Sequence, residues 1–121
     1  MKRDWDVVRQ ILLELEEAES PTAGMLGIEG MDDQVFGYHA KLMCDAGLVE
    51  AAIQEWFAGG INAQVDRMTW SGQEFLDGIR HKSVWDKIKT NAEEKGVSLT
   101  FETIKLLVTS VIKHRLGIDL E

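Results

Sequence analysis

Between Asp32 and Thr69 the hydrophobic pattern changes its period once, and few folds can follow from that change. Val35, Phe36, His39, Leu42, Met43 and Ala46 recur at helical spacing. Asp32 or Asp33 can cap this helix, and Gly47 supplies the left-handed residue at which helices end. Leu48 to Trp56 then reads at once as an extended strand, Ala58 to Asn62 as a turn, and Ala63 to Thr69 as a returning strand. A helix that runs directly into a hairpin is the organising junction of the chain.

Helical patterns flank this centre. Asp4 caps a first helix to about Glu19, with Trp5, Val8, Ile11, Leu12 and Leu15 on one face. Glu14, Glu16, Glu17 and Glu19 oppose the macrodipole at its C-terminal end. Ser20-Pro21-Thr22 breaks the helix, and a short strand around Met25 to Ile28 fits the glycine-rich stretch that follows. After the hairpin, Ser71-Gly72 opens a third helix carrying Phe75, Leu76 and Ile79. Ser83 caps a fourth carrying Val84, Trp85 and Ile88, closed by Gly96. Ser98 or Thr100 caps a last helix with Phe101, Ile104, Leu107, Val108, Val111 and Ile112 on one face, ended by Lys113, His114, Arg115 and Gly117. The fold class is α+β and mainly helical. We expect a domain over residues 1–82 and a C-terminal helical extension over 83–121, packed on the same core or forming a dimer contact.

A chain of 121 residues has length for one sizeable core. An apolar share of 45% with 28% charged residues is ordinary for a folded protein. No apolar run is longer than that of Leu106 to Val108, far short of the roughly 20 residues that span a bilayer. The N-terminus lacks the continuous apolar stretch of a signal peptide, so the expected location is cytoplasmic, with no membrane association. The lone cysteine, Cys44, cannot form an internal disulfide. The net charge of −8 is unevenly placed: residues 1–60 carry 4 basic and 12 acidic side chains, while residues 61–121 carry 9 of each. The N-terminal half should be repelled by phosphate backbones, because nonspecific nucleic-acid affinity comes mainly from lysine and arginine.

Two segments carry a resemblance. Tyr38-His39-Ala40-Lys41-Leu42-Met43-Cys44-Asp45-Ala46-Gly47-Leu48-Val49 is similar to the recognition helix and first wing strand of many bacterial winged-helix regulators. Met68-Thr69-Trp70-Ser71-Gly72-Gln73-Glu74-Phe75-Leu76 resembles the segment that closes the wing. The order helix, short strand, helix, hairpin fits a winged-helix-like core with C-terminal helices. More specifically, Lys-Arg-Asp-x-Asp-x-x-Arg-x-Ile-Leu-Leu-x-Leu from Lys2 to Leu15 resembles a bacterial and prophage family, domain of unknown function 2513. So do Thr69-Trp70-x-Gly72-x-Glu74-Phe75-Leu76-Asp77-x-Ile79-Arg80 and Val84-Trp85-x-Lys87. That resemblance implies a phage or mobile-element origin and brings no established activity.

Two classes of binding function follow. As a DNA-binding transcriptional regulator the chain would contact double-stranded DNA through Gln34, Tyr38, Lys41 and Arg67, with phosphates near the basic cluster of Arg80, His81 and Lys82 with Lys87 and Lys89. Against this, only residues 22–31 are available for the helix that braces a recognition helix, and Asp32-Asp33 puts carboxylates at the end that should approach DNA. As an acidic protein-interaction module it would engage a basic host or phage protein through Glu29, Asp32, Asp33 and Asp45, with Trp56 as an exposed contact or a side chain tucked against the sheet. Trp70 stands just after the wing, whereas Trp5 and Trp85 read as core. His39 reads as a core histidine bonded to backbone. Cys44 lies five residues on, about 140° round the helix, so the two share no ligand face and no metal site is expected. No nucleophile and base, paired carboxylates or phosphate loop forms a recognisable motif, so neither an enzyme nor a cofactor is expected. The last helix either folds back or pairs with its copy in a homodimer.

Overall fold

The computed structural model describes residues 1–115. They form a mainly helical α+β fold of five helices and one antiparallel hairpin: α1 (Trp5–Glu17), α2 (Asp33–Asp45), β1 (Val49–Glu55), β2 (Ile61–Met68), α3 (Trp70–Ile79), α4 (Lys82–Glu94) and α5 (Phe101–Arg115). Two compact units share the chain: one spans Met1–Leu76, and the second begins at Asp77, within α3. None of the described helices is long and apolar enough to cross a membrane.

In the first unit, caps fix where the helices begin. The Asp4 carboxylate accepts from the Asp6 backbone N–H, and the Asp32 carboxylate accepts from those of Gln34 and Val35. Val8, Ile11, Leu12 and Leu15 are buried on α1, which ends at Glu17 rather than Glu19. On α2 the buried face is Phe36, Gly37, His39, Ala40 and Met43. It is rotated from the expected stripe because the hairpin backbone comes close: a Cβ on Gly37 would stand 3.0 Å from the Ile61 carbonyl oxygen. Small residues there allow the approach, while Val35 and Leu42 are left half-buried.

Gly47, at φ +77°, ends α2 and turns the chain into β1. The register pairs Val49 with Met68, Glu50 with Arg67, Ala51 with Val65 and Ile53 with Ala63. Asp66 has no partner in this register, so β2 carries the extra residue of a bulge. The bulge explains the burial spacing of β2. Ala63 and Val65 are two apart, Met68 is three further on, and all three are buried. Without the extra residue Met68 would point to the other face. The Asp66 carbonyl accepts from the Ala23 N–H at 2.6 Å, and Met25 and Val65 exchange two backbone bonds of 2.8 Å. The strand expected over Met25 to Ile28 is therefore a single bridge at Met25.

Thr69 caps α3, its hydroxyl accepting from Gly72 N–H at 3.0 Å, which places the helix start before the expected Ser71-Gly72. Phe75 is buried, with its ring 5.9 Å from that of the half-buried Trp5.

In the second unit, His81 occupies the N-cap of α4 with no side-chain cap bond, and the expected cap Ser83 lies inside the helix. Val84, Trp85, Ile88 and Ala92 are buried, and Gly96 at φ +65° closes α4. Thr100 caps α5 through Thr103 N–H. Ile104 and Val111 are buried, Phe101, Leu107 and Val108 are half-buried, and Ile112 and Leu106 are exposed. A Cβ on Gly78 would stand 2.7 Å from Val108 Cγ1. The expected stop at Gly117 lies outside the described residues.

Gly72 is the tightest point of the first unit: a Cβ there would meet the Leu48 carbonyl oxygen at 2.1 Å and Met68 Cγ at 2.6 Å. Helix propensity favours alanine over glycine by about 1 kcal/mol. A backbone clash outweighs it, so Gly72→Ala should destabilise by about 3 kcal/mol in urea unfolding, while Ser71→Ala stays near wild type. A neutral Gly72→Ala would contradict this packing.

Candidate functional site

Five of the residues expected to act in binding come together. Gln34, Tyr38, Lys41 and Asp45 on α2, with Trp56 from the hairpin tip, line one open groove of about 690 Å³. Met1, Leu42, Glu55, Gly59, Gly60 and Ile61 complete its walls. Gln34 fixes the floor, its side-chain carbonyl accepting from Ile61 N–H at 2.9 Å, which ties the start of β2 to the first turn of α2. Tyr38 stands edge-on to the His39 ring, with centroids 5.3 Å apart.

The hairpin tip sets the aromatic wall. Trp56 N–H donates to the Gly60 carbonyl and Gly59 N–H to that of Trp56, both at 2.9 Å, with Gly59 at φ +92°. Trp56 folds over the turn so closely that a Cβ on Gly60 would lie 3.0 Å from its Cε3. Trp56 is nonetheless 45% exposed, and Phe57 beside it is fully exposed. Phe57 escaped the sequence reading, although an aromatic followed only by Ala58 and a glycine pair in a hairpin turn has little to pack against. Trp70 is 79% exposed, its indole N–H donating to Glu74 Oε1 at 2.6 Å.

Lys41, Arg67, Arg80, Lys82 and Lys89 each have a carboxylate within ion-pair distance, while Lys87 of the same basic cluster is exposed. Lys41 pairs with Glu55 across the groove, between α2 and β1. Arg67 grips Glu50 with two hydrogen bonds, Nε to Oε2 at 2.9 Å and Nη2 to Oε1 at 2.7 Å, across the hairpin register. In the second unit Arg80 pairs with Asp77 and Lys82 with Asp86, each at 2.9 Å. The hydrogen bond to Glu55, then its charge, holds the Lys41 ammonium above its ordinary pKa, and Asp45 adds to this. Glu50 does the same for Arg67.

Glu29, Asp32 and Asp33 are exposed at the N-terminal end of α2, and Asp45 is exposed at the other end. At 1.5 Å per residue that separates them by roughly 18 Å, so they form two acidic sites rather than one. Asp33 lines a second hollow of about 390 Å³ with Leu26, Ala52, Gln54 and Gln64. The first unit holds 5 basic and 14 acidic side chains, and all the carboxylates except half-buried Asp66 are exposed. Among the described residues no group of His, Cys, Asp or Glu is placed to hold a metal ion. His39 is buried with both ring nitrogens bonded to backbone, and Cys44 is half-buried.

The family model described as "Hypothetical protein (DUF2513)" matches residues 2–98. An "Uncharacterized protein" of Haemophilus influenzae is 36% identical over 119 residues, covering 97% of this chain and all of the relative. No solved structure matches.

The last turn of α1 carries no basic residue and the exposed carboxylates Glu14, Glu16 and Glu17. A charge of the right sign at a helix end stabilises by about 0.3–1 kcal/mol. Glu17→Lys should therefore raise stability by about 0.5 kcal/mol, read as a higher urea midpoint at unchanged m-value. A lower midpoint would show that Glu17 makes a stabilising contact.

Proposed function

For this chain, which belongs to the DUF2513 family of hypothetical proteins, we propose an acidic protein-interaction module that binds a basic partner. The observation that carries this reading is the pairing of Lys41, Arg67, Arg80 and Lys82 with Glu55, Glu50, Asp77 and Asp86. A cation beside a carboxylate has its charge partly balanced within the chain, so each of these four adds less net positive potential for a phosphate backbone than a lone cation does. The exposed carboxylates of the first unit have few cations to answer them, and a positively charged surface supplies what is missing. A partner that itself binds nucleic acid has such a surface, which makes displacement or mimicry of nucleic acid the natural consequence.

A second reading, a winged-helix regulator of transcription, is favoured by the element order. α1, the bridge at Met25, α2 and the hairpin follow the sequence of a winged helix that lacks one helix, with the bridge pairing to β2. Its contacts with DNA would be Gln34, Tyr38, Lys41 and Arg67. A phage or mobile-element origin is compatible with either reading.

Anisotropy titrations separate the two. With labelled protamine and labelled mixed-sequence duplex, each at low and physiological salt, the chain should bind protamine at least about tenfold more tightly than duplex under both conditions. Duplex binding that weakens steeply with salt and is lost in Arg67→Glu and Lys41→Glu would overturn the module reading and establish the regulator. Failure to bind protamine at low salt would also overturn it.

A further inference from the structure

We propose that the groove between α2 and the hairpin tip receives an arginine-bearing extended segment of the basic partner, with the guanidinium set between the Trp56 ring and the Asp45 carboxylate. This rests on the interaction-module reading and names the part of the surface that confers selectivity.

Three observations choose the occupant. First, the walls are aromatic and held in place. Trp56 is folded against Gly60, and Tyr38 stands against the His39 ring, so little ordering remains to be done on binding. Tryptophan and tyrosine at such a site are the residues that most often dominate binding energy. Second, the rim is acidic. Asp45 is exposed at the C-terminal end of α2, where the helix dipole adds partial negative charge, and Glu55 at the end of β1 lines the same groove. Third, the groove already holds a cation on its wall, because Lys41 bonds to Glu55 and also feels the Asp45 charge. That contact is an internal precedent for a positive group at this place. A guanidinium suits the setting better than an ammonium, since it stacks on an aromatic face and offers paired donors to a carboxylate.

Lys41 is then a competitor of the incoming arginine, and the sign of its effect distinguishes this proposal from a DNA contact. The probe is fluorescein-labelled octa-arginine, with octalysine and octaglutamate as controls, titrated at low and physiological salt into the full chain and its variants. Octa-arginine should bind more tightly than octalysine, and octaglutamate should not bind. Trp56→Ala should weaken octa-arginine about tenfold and Trp56→Phe much less. Asp45→Asn should weaken it about threefold at low salt, and Lys41→Met should strengthen it about threefold. Circular dichroism confirms that each variant is folded, and the exposed position of Trp56 and Asp45 makes that the expected result.

Octa-arginine affinity that is unchanged in Trp56→Ala and Asp45→Asn overturns the groove proposal and leaves the module reading standing, with the basic partner held elsewhere on the acidic surface. Lys41→Met that weakens binding overturns it as well. Absence of octa-arginine binding at low salt removes both the groove and the module reading.

Discussion

His39, only 1% exposed, commits both ring nitrogens to backbone groups of different helical segments. Its Nε2 accepts the Asp4 N–H at the start of α1, and its Nδ1–H donates to the Val35 carbonyl one turn back on α2, both at 2.8 Å. This network assigns the neutral tautomer with the proton on Nδ1. A buried polar group left unmatched costs about 1–3 kcal/mol, so the imidazole and the Asp4 N–H hold one another in place. α1 is thereby locked to α2 at one end. From α2, Gln34 and Gly37 fix where the hairpin can approach, and that approach sets the position of Trp56. The groove is a consequence of three contacts made along a single 13-residue helix.

The bulge at Asp66 does comparable work for the hairpin. It returns Met68 to the face of Ala63 and Val65, offers the Asp66 carbonyl to Ala23, and brings Arg67 opposite Glu50. Beneath it, the close contact of Gly72 with the Leu48 carbonyl sets α3 tightly behind the start of β1. Local irregularity here serves the packing, since a regular hairpin would put either Met68 or Val65 into solvent.

Much of this was legible from residue type and spacing. The caps at Asp4 and Asp32, the stops at Gly47 and Gly96, the buried stripe of α1, the hairpin, and the role of His39 as a backbone-bonded core residue all follow from local rules. What escaped depended on partners distant in sequence. Lys41 and Glu55 are 14 residues apart, and Arg67 and Glu50 are 17 apart. Neither pair can be named without the hairpin register, and the register contains a bulge that no composition signal marks. Buried Gly37 and Ala40 were invisible to a count of large apolar residues, because their value lies in what they omit. His81 stands at the N-cap of α4 without a cap bond, so chemistry pointed to Ser83 while the backbone began the helix earlier. The acidic residues and Trp56 were readable as candidates; their division between the two ends of α2, and the gathering of Asp45 with Trp56, were not.

The charge distribution runs against what stability alone would select. Fourteen carboxylates against five cations in the first unit impose self-repulsion, and the glutamates in the last turn of α1 oppose the helix dipole. Exposed ion pairs such as Lys41 with Glu55 and Arg67 with Glu50 return little, because water and salt screen them. A surface chosen only to keep this unit folded would place lysines among those glutamates at small cost. A positively charged partner of the proposed kind would reverse the balance, because carboxylates that repel one another in the free chain would attract it, and the repulsion relieved on association would add to the affinity. The same arrangement penalises approach to a phosphate backbone, so in the proposed module the acidic surface would discriminate by what it rejects as well as by what it attracts.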